Sequence, residues 1–177
     1  VYTSDLDLND HALVVRLLRS PHASARIRAI DAAAARSLAG VACVLTHADV
    51  PATRSTLAGQ SFPEPSPYDR RILDDRVRYV GDPVAIVAAT DEATALAALA
   101  LIRVDWEVLT PVLDPQTALD NPNRVHTEQP FTHMDIGTDA ARNIAAAFST
   151  GRGEVEAELA ASEVVIERSY TTQAQAH

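Results

Sequence analysis

The sequence predicts a mixed domain of the α/β or α+β class, because two strand–helix–strand passages follow one another between residues 11 and 109. Hydrophobic periodicity alternates between that of strands and that of helices along this stretch. A continuous apolar run at residues 84–89 is typical of a strand that is buried on both faces. The pattern leaves open how the two passages pair.

The first passage places a helix between extended segments. Apolar or alternating runs predict strands at residues 11–18, 26–30 and 41–46. Asp31 is a candidate N-cap for a helix over residues 32–38, and Gly40 stands where a left-handed residue would end that helix.

The second passage begins at the apolar run. Thr90 or Asp91 is expected to cap a helix that continues to about Ile102. Residues 103–109 then alternate between polar and apolar side chains, which predicts the last strand of the passage.

Proline-rich segments separate and follow these passages. Residues 51–75 predict a long loop, because proline removes hydrogen-bond donors from a strand ladder, and residues 111–143 predict a linker across a surface. Residues 153–161 predict a short acidic helix, and residues 164–172 predict a strand. Because a terminal strand needs partners, we expect this chain to be cut from a longer protein.

The composition narrows the classes of function. The 177 residues carry a formal net charge of -9, and all 15 basic residues are arginine without a basic tract, which argues against nucleic-acid and anionic-membrane partners. The apolar run at residues 95–102 is too short to span a bilayer. The single cysteine, Cys43, excludes an internal disulfide and fits a reducing compartment.

Side chains with catalytic or metal-binding chemistry have spacings that point to structural roles. The six histidines form no short-spaced ligand pattern, and the sequence contains neither a nucleophile elbow nor a dinucleotide-binding glycine motif. Asp31 and Asp91 are predicted to cap helices, whereas Asp74 and Asp75 are predicted to lie in a turn. We therefore predict no catalytic and no metal-ligating residue.

Two clusters of residues carry more information. Residues 19–27 either present Arg19 and His22 to an anionic group or form a turn at Ser-Pro in which His22 caps backbone groups, and we favour the turn. Residues 77–85 predict a tight bend at Gly81 that leads through Asp-Pro into the buried strand.

Five stretches match a known family in the same order. They are YTSDL at residues 2–6, LRSPHASARI at 18–27, LAGVACVLTHADVP at 38–51, VRYVGDPVAIVAA at 77–89 and LIRVDWEVLTPVLD at 101–114. Together they resemble the molybdenum-binding large subunit of the xanthine dehydrogenase and aldehyde oxidase family. The resemblance implies an α+β fold, an α/β hammerhead domain of mixed strands and two main helices. The implied domains are the hammerhead, a linker and the start of the first molybdopterin-binding domain, at residues 1–118, 119–150 and 151–177.

The resemblance also implies a function. Members of the family hydroxylate a purine or related heterocycle, or oxidise an aldehyde, with water as the oxygen source. A molybdenum cofactor (molybdopterin) is expected in the full-length enzyme, with [2Fe-2S] clusters and FAD in partner subunits or domains, and a cytoplasmic location. The expected partners are the remainder of the molybdenum-binding subunit and the iron-sulfur and FAD subunits.

The fragment itself is expected to be structural, inactive and without cofactor. One residue is a candidate for cofactor binding: Gln175, in QAH at residues 175–177, resembles a glutamine that approaches the molybdenum cofactor in the family. The other interpretation of Gln175 is an ordinary polar residue near the end of the chain. The alternative for the whole chain is a free-standing α/β module that binds a small molecule or regulates a partner.

Overall fold

The structure is a computed structural model that describes residues 12–56 and 66–173. The chain divides into two compact units, Val1–Ala147 and Phe148–His177. Three subjects of the sequence predictions lie outside the described residues: the stretch at residues 2–6, the middle of the proline-rich loop, and Gln175.

Within the described residues, the first unit contains two three-stranded sheets and two α-helices. Its strands are β1 (Val14–Arg19), β2 (Ala25–Asp31), β3 (Val41–Leu45), β4 (Arg76–Val77), β5 (Pro83–Ala89) and β6 (Arg103–Val108). Its helices are α1 (Ala33–Arg36) and α2 (Glu92–Leu101), and two 3₁₀ turns follow at Pro115–Thr117 and Ala140–Arg142. The strand orders are β1-β5-β3 and β4-β2-β6.

The two strands that flank each helix lie in different sheets. β2 pairs with β6 and β3 pairs with β5, so the two passages interlock instead of forming separate layers. The pairings between these strands are antiparallel, with Val14 opposite Ala89 and Asp31 opposite Arg103. Antiparallel sheets confirm the α+β class, and they resolve the pairing that the sequence left open.

The central strand β5 matches its prediction. Val84, Ala85 and Val87 have no exposed surface, and β5 has a hydrogen-bonded neighbour on each side. Small and β-branched side chains suit a strand that is packed on both faces. Pro83 occupies the first position of the strand, where the lack of an N–H disturbs the ladder least.

The capping prediction for α2 is confirmed at Asp91. Its carboxylate accepts a hydrogen bond from the backbone N–H of Thr94 at 2.8 Å. The helix packs against β1 and β5 through Ala95 and Ala98, which are fully buried. Their methyl side chains let the helix backbone lie close to the sheet.

Helix α1 is a single turn and is shorter than the predicted helix over residues 32–38. The prediction of Asp31 as the N-cap is wrong by one residue, because the N-cap is Ala32 and has no side-chain cap; Asp31 precedes it, and its Oδ1 accepts from the Ala33 N–H at 3.0 Å. The Ala33 carbonyl accepts from both the Ser37 N–H at 3.1 Å and the Ser37 hydroxyl at 3.0 Å, and the next N–H, that of Leu38, donates to the Ala35 carbonyl at 3.3 Å, so the helical pattern ends here. The turn beyond it closes at Gly40 with φ +86°, as predicted for a left-handed residue.

The segment between the first 3₁₀ turn and Ala147 is held in place by hydrogen bonds within itself and to the proline-rich loop. Asp139 caps the second 3₁₀ turn by accepting from the Ala141 N–H at 3.0 Å. The Tyr68 N–H donates to the Phe131 carbonyl at 2.8 Å, and the two rings meet edge-to-face. The predicted linker therefore packs against residues of the earlier proline-rich loop. The domain boundaries at residues 118 and 150 stay predictions.

The second unit contains helix α3 (Val155–Ala161), which confirms the predicted acidic helix. The predicted strand at residues 164–172 is wrong, because the structure assigns no strand there. A strand requires a hydrogen-bonding neighbour, and no described segment pairs with these residues. The apolar side chains of Val164, Val165 and Ile166 are consequently exposed within the described chain.

Candidate functional site

The two residue clusters singled out in the sequence meet in the structure. The Ser20 N–H donates to the Asp82 carbonyl at 2.9 Å, and the Gly81 N–H donates to the Ser20 carbonyl at 2.8 Å. The Arg19 guanidinium also donates to the Gly81 carbonyl at 2.9 Å. These bonds join the end of β1 to the bend before β5, and they confirm the structural interpretation of both clusters.

The turn at residues 20–22 is closed by Ser20. Its hydroxyl accepts from the His22 backbone N–H at 3.0 Å. The prediction that the His22 side chain caps the turn is wrong, because the imidazole instead contacts the Trp106 ring edge-to-face at 5.3 Å. The Ser20 hydroxyl bonds both the N–H and the carbonyl of His22, so the turn is closed without the imidazole.

The bend before β5 is closed by Asp82. Its carboxylate accepts from the Arg78 backbone N–H at 2.9 Å and lies 3.6 Å from the Arg70 guanidinium. Gly81 has φ +95°, the left-handed conformation that the predicted bend requires. Arg70 also lies over the ring of Tyr79. Asp82 thus holds two parts of the loop together.

A cluster of paired charges lies beside this bend, and sequence reasoning missed it. We define the arginine cluster as Arg54, Arg71, Arg76 and Arg78 with the carboxylates Asp74 and Glu128. Asp74 was predicted only as a turn residue. Its carboxylate pairs with Arg78 at 2.9 Å and with Arg71 at 3.3 Å. The spacing Arg71, Asp74, Arg78 in RRILDDRVR is the signal that could have revealed the pairs.

Glu128 joins the predicted linker to the same cluster. Its Oε1 accepts from the Arg54 guanidinium and lies 3.5 Å from Arg78 Nη2. Burial opposes ionisation of Glu128, but a hydrogen bond from Thr127 and the charges of Arg54 and Arg78 hold its pKa below the ordinary value.

The same balance acts on Asp74. Burial opposes its ionisation as well, but hydrogen bonds from Asp75 and Arg78 and the charge of Arg71 lower its pKa. Both carboxylates of the arginine cluster are therefore ionised at neutral pH. They act as counter-ions for the arginines and are unsuited to take up a proton as general bases.

An apolar cavity of about 220 Å³ lies elsewhere in the first unit, and His126 and Asp69 are among its lining residues. His126 Nε2 lies 3.6 Å from the Asp69 carboxylate, and its buried Nδ1 has no hydrogen-bond partner among the described residues. Burial and the charge of Arg78 lower the pKa of His126, so the imidazole is neutral at pH 7. Such a cavity can hold a small ligand and offer it one hydrogen bond.

Interlocked strand–helix–strand passages and charge pairs between the long loops define an α+β domain among the described residues. A family model described as "Aldehyde oxidase and xanthine dehydrogenase, a/b hammerhead domain" matches residues 1–110. The chain belongs to this family. The predicted α/β hammerhead fold is confirmed.

Known proteins agree with this assignment. The chain is 40% identical to the probable hypoxanthine oxidase XdhD of Escherichia coli O157:H7 and 32% identical to the nicotine 6-hydroxylase large subunit of Paenarthrobacter nicotinovorans. These matches include 93% and 88% of this chain but 20% and 19% of those proteins, so the chain spans about a fifth of its relatives' length. The solved structure of quinoline 2-oxidoreductase from Pseudomonas putida 86 matches with 36% identity and a TM-score of 0.60, over 70% of this chain and 16% of that one.

A molybdenum cofactor fits the family. Among residues 12–56 and 66–173, no three His, Cys, Asp or Glu side chains lie together as ligands for a metal ion. The candidate Gln175 lies outside these residues. Over the same described ranges, no helix has both the length and the apolar character needed to cross a membrane.

Proposed function

We propose that this chain is the hammerhead part of the large subunit of a molybdenum hydroxylase and that it serves there as a structural domain. The enzyme would hydroxylate a purine or related heterocycle, or oxidise an aldehyde, with oxygen from water. The observation that supports the proposal is the pairing of charges. Arg78 pairs with both Asp74 and Glu128, and of these residues Asp74 and Arg78 lie within the part of the chain that the family model matches, so these side chains hold loops together.

The domain forms a wall of the subunit and borders the route of the substrate. Its proposed limits are residues 1–118, followed by a linker to residue 150 and the start of a molybdopterin-binding domain. In that arrangement Gln175 approaches the molybdenum cofactor, which the remainder of the subunit holds. Iron-sulfur clusters and FAD belong to partner subunits or domains that carry electrons away, and the assembled enzyme is cytoplasmic.

Expression of the gene beyond residue 177 tests this proposal. The full-length product is expected to contain molybdenum by elemental analysis and to hydroxylate hypoxanthine or another heterocycle. The 177-residue chain alone is expected to fold, to bind no molybdenum and to show no turnover. A reading frame that stops after His177, or turnover by the short chain, would contradict the proposal.

The role of Gln175 needs a separate measurement. Gln175→Ala in the full-length enzyme is expected to lower turnover while the molybdenum content stays unchanged, because a side chain beside the cofactor affects the reaction more than assembly. Gln173→Ala is the matched control, two residues earlier in the chain. Equal turnover in both variants and the parent enzyme would contradict the role of Gln175.

The second candidate, a free-standing small-molecule-binding module, is favoured by the apolar cavity. Calorimetry of the 177-residue chain with hypoxanthine distinguishes the two functions, because the hammerhead proposal expects no tight binding. If the module is correct, His126→Gln weakens binding and the exposed His133→Gln does not, since only His126 lines the cavity. Binding that is unaffected by His126→Gln would contradict the module.

A further inference from the structure

A second, polar cavity of about 290 Å³ adjoins the arginine cluster and shares no lining residue with the apolar cavity. The cavity is lined by all members of the arginine cluster and also by Arg26 on β2. Its lining therefore contains five arginines and three carboxylates. The third carboxylate belongs to Asp75. The lining thus has a formal excess of two positive charges in a chain whose net charge is -9.

The arginines of this cavity lack enough acceptors. Arg76 donates to the Arg124 carbonyl at 2.5 Å and has no carboxylate partner among the described residues. Arg26 makes no hydrogen bond or ion pair through its side chain with the described chain. The buried Nε atoms of three members, Arg71, Arg76 and Arg78, also have no hydrogen-bond partner in the described structure. Unpartnered buried donors are costly, which indicates that something else satisfies the cavity.

Electrostatics supports the same conclusion. Burial lowers the pKa of Arg76, and the neighbouring guanidiniums of Arg78 and Arg26 lower it further. Glu128 offsets this repulsion only in part. An anion between the arginines would remove the repulsion and supply acceptors to their free N–H groups.

We propose that this cavity binds the phosphate group of a small anionic ligand, with Arg26 and Arg76 as its main new partners. A phosphate group carries close to two negative charges at neutral pH, which matches the excess charge of the lining. Guanidinium groups present paired N–H donors that fit phosphate oxygens, whereas a carboxylate would neutralise only one charge. This binding does not depend on the enzyme function proposed above.

A calorimetric titration of the 177-residue chain with inorganic phosphate, at constant ionic strength, tests the site. One saturable site is expected. Arg26→Gln and Arg76→Gln should each weaken binding about tenfold or more, because a hydrogen bond to a charged group contributes about 1.5–3 kcal/mol and 1.4 kcal/mol is tenfold. Arg28→Gln is the matched control. Arg28 lies on the same strand, loses the same charge and pairs with Glu107 outside the cavity.

Arg26→Gln keeps the test free of folding effects, because the Arg26 side chain is exposed and unpaired within the described residues. Near-ultraviolet circular dichroism of Trp106 verifies that each variant is folded. Non-saturating binding, an equal loss in Arg28→Gln, or acetate that binds as tightly as phosphate would overturn the proposal. Adenosine monophosphate identifies the source of the phosphate: tighter binding than inorganic phosphate indicates a phosphate monoester, and weaker binding indicates the free ion.

Discussion

The sheet core and the arginine cluster of the first unit are stabilised by different interactions. Val84, Val87 and the alanines of α2 are buried among aliphatic neighbours, where stability follows the apolar area removed from water. The arginine cluster holds the long loops by charge pairs, whose contribution depends on geometry, burial and pH. Substitutions in the core should therefore change stability through the polarity and volume of the new side chain, whereas substitutions in the arginine cluster should change stability through its charge.

The largest effect is expected when a charge enters the core. Val87→Asp places a carboxylate without a partner at a fully buried position of β5 and should lower the free energy of unfolding by more than about 4 kcal/mol. Thermal unfolding measures this effect, and the expected result is loss of the cooperative transition. Val15→Asp on β1 is the control. Because Val15 is 50% exposed, this variant should lose much less stability. A native-like transition in Val87→Asp would contradict the assigned core.

Removal of one buried charge tests the arginine cluster. Arg78→Gln leaves Asp74 short of its closest partner, and because both side chains are almost buried we expect a loss of about 2–3 kcal/mol in urea unfolding. Arg16→Gln is the matched control. Its pair with Glu92 is largely exposed and should contribute less than about 1 kcal/mol. Equal losses in the two variants would remove the distinction between a buried and a surface pair.

Two glycines separate backbone strain from close packing. Gly81→Ala should cost about 1 kcal/mol through its positive φ alone, because a Cβ there meets no atom within 4 Å. Gly40→Ala should cost about 2 kcal/mol, since its Cβ would also lie 2.9 Å from Thr90 Oγ1. Chemical denaturation of both variants measures the difference. A smaller loss at Gly40 would show that the approach of α2 to this turn is not tight.

The smallest expected effect is the change in stability at acidic pH that depends on Asp74. The pKa of Asp74 is lowered in the folded state, so its stabilising contribution is complete above the ordinary carboxyl range near pH 4 and is lost as the pH falls through the lowered value. Between pH 5 and pH 3, Asp74→Asn should therefore lose stability less steeply than the parent chain. Because only part of this titration falls between pH 5 and pH 3, the difference should stay under about 1 kcal/mol. If the stability of Asp74→Asn and of the parent chain fell in parallel over this pH range, the link between Asp74 ionisation and stability would be contradicted.

Local pattern was sufficient to predict the sheet core. The apolar run of β5 and the cap at Asp91 are determined by near neighbours in the chain, so both were predictable. Helix α1 was overestimated because the Leu38 N–H bonds three residues back, to the Ala35 carbonyl, and the chain leaves the helix after Ser37, which hydrophobic periodicity does not record. The strand predicted at residues 164–172 failed for a different reason: extended propensity does not specify a partner.

The candidate site was less accessible to sequence reasoning. Arg54, Arg78 and Glu128 are distant in sequence, and only folding of the long loops brings them together. The pair between Arg78 and Asp74 has helical spacing but lies outside a helix, so its signal was easily assigned to a turn. A cavity between such residues follows from tertiary packing and has no counterpart in local pattern.

The interlocking of the two passages also constrains how the chain acquires its structure. β1 and β2 leave the ribosome well before their partners β5 and β6, so the nascent chain holds unpaired strands until β6 emerges. Contacts of such large sequence separation favour slow folding. A break between β3 and β4 would give two peptides that each carry strands of both sheets. Neither peptide can complete a sheet alone, so the pair should fold only by association.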